Sequence, residues 1–97
     1  MHFALPHTYS KDEAVTRVKT LLAEAKPKLA GKADISEEKW DGDVLHFGFN
    51  TQGQNITGQL EVTDKEFLID ATFPLMLRMF EGRIEKMIQE QGKQMLG

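Results

Sequence analysis

His46, Gln59 and Asp70 come nearest to chemistry in residue type and spacing. A histidine oriented by a carboxylate is the heart of a proton relay, because the acid holds the imidazole tautomer and stabilises its charged form. These residues share a row only if three neighbouring strands carry them. Adjacent strands lie about 4.8 Å apart, which separates His46 from Asp70 by roughly 10 Å, with Gln59 between. That is too far for a direct orienting bond, and no nucleophile falls nearby. The row therefore reads as part of a solvated sheet face.

Other chemistries find less support. His2 and His7 differ in strand parity and point to opposite faces. No His, Asp and Glu set has the spacing of a zinc or calcium site. The glycines form neither G-x-x-x-x-G-K-[ST] nor G-x-G-x-x-G, so no phosphate loop is expected. No acid/base pair, nucleophile and oxyanion donors converge, and the chain is not expected to be an enzyme. No catalytic residue, cofactor or metal is assigned.

The elements that position these residues follow from pattern. His2 to Thr8 is a short candidate strand, and Pro6, which cannot donate to a ladder, makes it either an edge strand or a brief one. Ser10-Lys11-Asp12-Glu13 is a capping box, with serine at the N-cap and glutamate at N3. Ala14, Val15, Val18, Leu21, Leu22, Ala25 and Leu29 then recur at helical period. Pro27 predicts a kink or an end near Lys26, with Gly31 as the final stop.

From Ala33 to Phe73 the period is two. An Asp41-Gly42 turn of type I′ sets Trp40 opposite Asp43 and Leu45 opposite Glu38. A Gln52-Gly53 turn sets Phe49 opposite Ile56, Phe47 opposite Gly58, and Leu45 opposite Leu60. A turn at Asp64-Lys65 pairs Val62 with Phe67, Leu60 with Ile69, and Gly58 with Ala71. These turns put the apolar residues on one face of a four-strand meander. His46, Asn55, Thr57, Gln59, Glu61, Asp70 and Thr72 line the opposite, wet face. Ile35 lands on the polar face and Glu38 on the apolar one, and a bulge near Ser36 to Lys39 would repair both.

Two apolar features remain. Gly58 sits between Phe47 and Ala71 at mid-sheet. Either the Phe47 ring covers the glycine, or Phe47, Gly58 and Ala71 border a hollow that takes an apolar ligand. The second feature is Phe73-Pro74-Leu75-Met76-Leu77-Arg78-Met79-Phe80. Pro74 suits the first turn of a second helix. Leu77, Phe80, Ile84, Ile88 and Met95 form its core stripe. Leu75, Met76 and Met79 fall off or at the margin of that stripe. They read either as core covered by the first strand or helix, or as a contact patch, to which flexible methionine is suited. Glu81, Arg83, Glu85, Lys86, Glu90 and Lys93 read as a solvated helix face.

The 97 residues suit one domain over 1–97. At this size folding buries roughly 60–68% of the chain's surface, enough for one core. Twelve Lys and Arg against 15 Asp and Glu leave no basic face for nucleic acid. There is no cysteine. No apolar run reaches the roughly 18–20 residues of a membrane span, and Met1 to Ser10 holds no signal-peptide pattern. The expected location is the cytoplasm.

Trp40-x-Gly42-Asp43-x-Leu45-x-Phe47, then Gly58-x-Leu60-x-Val62, then Phe73-Pro74-Leu75 opening an apolar helix, resembles the polyhydroxyalkanoic acid system protein family. The likeness covers nearly the whole chain. It implies a link to polyester storage and carries no catalytic residues. The fold it implies is similar to a reduced helix-grip domain, with a long C-terminal helix across a curved sheet. The expected architecture is therefore α+β in two layers, β-α-β-β-β-β-α, with an antiparallel meander and two helices on one face. The resemblance implies a non-enzymatic accessory protein that meets a granule surface or a granule-associated protein, and the Leu75, Met76 and Met79 patch offers a homodimer interface as a further option. The alternative is a small carrier or sensor of an apolar or hydroxyacyl ligand held between sheet and helices.

Overall fold

The computed structural model describes residues 1–95, with side chains through residue 90. Met95 of the expected core stripe and Lys93 of the expected solvated face thus lie outside the described side chains. The order is β1 (His2–Pro6), α1 (Lys11–Leu29), β2 (Asp34–Asp41), β3 (Val44–Thr51), β4 (Gln54–Val62), β5 (Glu66–Thr72), a 3-10 segment (Leu75–Phe80) and α2 (Glu81–Met95). The five strands form one antiparallel sheet, β1-β5-β4-β3-β2. The α+β architecture expected from the sequence is the one observed, with β1 placed at the edge beside β5. Both edges resist further pairing: β1 ends at Pro6, and β2 is largely charged.

The hairpins explain the sheet. The β3–β4 turn has positive φ at both Gln52 and Gly53, the signature of type I′. It pairs Phe47 with Gly58 and Leu45 with Leu60, and the next hairpin pairs Gly58 with Ala71 and Leu60 with Ile69. The first hairpin departs from expectation. Its turn is Gly42-Asp43, with Trp40 opposite Leu45 and Glu38 opposite Phe47. Only Gly42 takes positive φ there, as in a type II′ turn with glycine first. Moving the turn by one residue shifts the partner by two, so every side chain keeps its face.

The bulge lies between Ile35 and Glu37. It returns Ile35 to the apolar face opposite Phe49 but leaves Glu38 there, contrary to the expected double repair. Glu38 is accommodated because β2 is an edge strand and Lys26 of α1 reaches it at 3.0 Å. Gly48 gives the bulge room, since a Cβ on it would stand 2.7 Å from Ser36 Oγ.

Helix α1 begins at its cap: Ser10 Oγ accepts from the Glu13 N–H at 3.2 Å. The Glu13 carboxylate faces Arg17. Asp12 and Glu13 in the first turn and Lys26 and Lys28 in the last complement the helix dipole. The helix passes through Pro27 to Leu29 and does not end at Lys26. Pro27 deletes one bond to the Ala23 carbonyl only two residues before the end, so little is lost. Gly31, at φ +81°, then terminates it. Ala14 and Val18 of α1 pack with Phe3, Leu5, Leu45, Val62, Phe67 and Ile69 into the core.

Pro74 does not open an α-helix directly. Residues 75–80 are 3-10, at three residues per turn, which rotates their side chains away from the stripe that α-helical spacing predicts. Phe80 is consequently 44% exposed and is not a core residue. Glu81 is not merely solvated, because its carboxylate meets the main-chain nitrogen of Met1.

Candidate functional site

The polar face forms one continuous row. Lys39, His46, Gln59, Asp70 and His2 are successive partners across the five strands. Gln59 stands between His46 and Asp70, as the spacing predicts. The nearest imidazole to Asp70 is His2, whose Nδ1 lies 3.8 Å from the carboxylate, with both side chains exposed. The sequence reading missed this neighbour because nothing local places β1 beside β5. A shallow open depression spans His46, Gln59, Asp70 and Thr72, with a volume of about 350 Å³. It has no enclosing wall. Among the described residues no group of three or more His, Asp or Glu is arranged to hold a metal ion.

His7 is the buried histidine. The Tyr9 N–H donates to its Nδ1 at 3.1 Å, so Nε2 carries the proton and donates to the Thr63 carbonyl at 2.8 Å. Its ring packs on Phe67 at 4.7 Å. Both nitrogens are engaged by main chain, which makes His7 a clasp between β1 and the β4–β5 turn.

The apolar side carries two features of a different kind. Leu75, Met76 and Met79 are 80%, 72% and 81% exposed, and Phe80 and Met87 are half exposed beside them in sequence. No residue of the 3-10 segment is buried, and no side chain caps it. The second feature is a half-open cavity of about 280 Å³ between the sheet and both helices. Leu45, Phe47, Ala71 and Phe73 line it from the sheet, Leu21 and Leu22 from α1, and Ile84 and Ile88 from α2, with no polar atom in its wall. Gly58 lies outside the wall. The tip of the Phe47 ring comes within 2.8 Å of where a Gly58 Cβ would stand, so the ring covers the glycine.

No helix among the described residues is long and apolar enough to cross a membrane. The fold is thus an antiparallel sheet with two helices against one face, an apolar cavity beneath them and an uncovered apolar segment at their junction. Over residues 1–96 the chain matches the family described as Putative polyhydroxyalkanoic acid system protein, and it belongs to that family. The family name ties it to the polyhydroxyalkanoate system and to no known class of enzyme. No curated protein and no solved structure matches the chain.

Proposed function

We propose that the protein is a non-enzymatic accessory factor of polyhydroxyalkanoate metabolism that contacts the granule, at the polymer surface or through a protein on it, by the segment around Leu75, Met76 and Met79. The observation that carries this reading is the exposure of all three side chains on a segment that buries none of its residues. Exposed clusters of large apolar side chains mark contact surfaces, and unbranched methionine adapts to a surface without fixed shape. A polyester granule is such a surface. The family membership supports the same context.

The test is localisation in a polymer-accumulating cell. A fluorescent fusion of the wild-type chain is expected to ring the granules. The Leu75→Ser, Met79→Ser double variant is expected to spread through the cell at equal abundance. Identical rings for both proteins would remove the surface from the reading, and a wild-type fusion that ignores granules would remove the reading itself.

A further inference from the structure

We infer that the cavity between the sheet and the two helices binds a linear aliphatic chain of about ten to twelve non-hydrogen atoms, the size scaled from a dry cavity of about 150 Å³ that holds benzene and the 280 Å³ found here. The inference is independent of the granule-contact reading. Three observations carry it.

The first is the wall. It is wholly apolar, and buried water needs two to four polar partners. Peptide or sugar groups would lose their hydrogen bonds there. Only a hydrocarbon enters without that loss.

The second is shape. Leu45, Phe47 and Phe49 follow one another along β3 on the cavity side. At about 3.3 Å per residue they lay out roughly 13 Å of wall in one direction. Across β3, β4 and β5 the wall spans roughly 10 Å, so its longer direction follows β3, and a chain can lie along it.

The third is enclosure. Leu45, Ile69, Ala71 and Phe73 are buried at the floor, while Leu21, Leu22, Ile84 and Ile88 are half buried at the helices. Phe47, Phe49, Ile56 and Leu60 of the floor are half buried too, so the cavity is closed toward β5 and open on the side of β3 and β4. The polar head of an acyl ligand stays outside, and recognition is of the tail.

Titration calorimetry with sodium alkanoates from butanoate to tetradecanoate, each below its micelle concentration, tests the assignment. Affinity is expected to rise about fourfold per methylene and to level off near ten to twelve carbons. Ala71→Leu grows a side chain from the floor into the slot and is expected to weaken decanoate binding tenfold or more. Ile88→Phe fills the slot from the α2 side and serves where Ala71→Leu does not fold. The Leu75→Ser, Met79→Ser variant is expected to bind decanoate as the wild type does. Absence of binding, affinity indifferent to chain length, unchanged affinity in a folded filling variant, or loss of binding in the surface variant would each overturn the assignment.

Discussion

Helix α1 and the 3-10 segment with α2 serve the same sheet face, yet they meet it differently. In α1, Ser10 caps the start, the terminal charges match the dipole, and Ala14 and Val18 are fully covered. The segment from Leu75 to Phe80 has no side-chain cap and buries nothing. All the exposed large hydrophobic residues among those described, Leu75, Met76, Met79, Phe80 and Met87, lie in this second region. The contrast separates two uses of apolar residues. Small and branched ones in α1 hold the fold together. Long, flexible ones after Pro74 remain in solvent, at a cost that folding alone does not explain.

The sharpest way to stress this contrast is at the floor beneath α1. Leu45 is 2% exposed, and Leu45→Ala is expected to cost about 2–5 kcal/mol through lost burial and a new void. Urea unfolding measures it, and a loss no greater than that of an exposed residue would erase the distinction between the regions. Gly58→Ala is expected to cost about 1–3 kcal/mol, because its Cβ would strike the main chain of Asp70 and Ala71 as well as the Phe47 ring. Gly48→Ala should cost less, since its closest obstacle is the Ser36 hydroxyl, which can turn aside. Equal melting temperatures for the two glycine variants would contradict this packing.

Ser10→Ala removes the α1 cap and is expected to cost about 1 kcal/mol. The polar face should be least sensitive. His46→Ala and Asp70→Ala are each expected to change stability by no more than about 0.5 kcal/mol, as at other surface sites. A large loss of granule association in either variant at unchanged stability would give that row a role the structure does not explain.

Much of the sheet was legible because period-two patterning fixes faces. The Gln52-Gly53 and Asp64-Lys65 turns gave the right pairs. The first turn is ambiguous by one residue, since both placements use Gly42 for positive φ and pattern parity does not separate them. Glu38 stays on the apolar face because Lys26 of the preceding helix meets it there, and strand alternation alone does not reveal a helix partner. A 100° step puts Phe80 in the core, but the 3-10 geometry of residues 75–80 does not follow that step. The patch residues Leu75, Met76 and Met79 were legible as off-stripe, but their exposure depends on what the first strand and helix cover. The cavity volume depends on how closely α1 and α2 approach, and no local pattern encodes that.

The most direct measurement is cosedimentation with purified polyester granules stripped of protein, alongside untreated granules. Wild type and the Leu75→Ser, Met79→Ser variant are compared after their unfolding midpoints are determined. The midpoints are expected to agree within about 0.5 kcal/mol in stability, with wild type pelleting and the variant left in the supernatant. Pelleting only on untreated granules would assign the contact to a granule protein. Equal pelleting of both proteins, or unfolding of the variant as severe as that of Leu45→Ala, would contradict the claim that this segment is a contact surface.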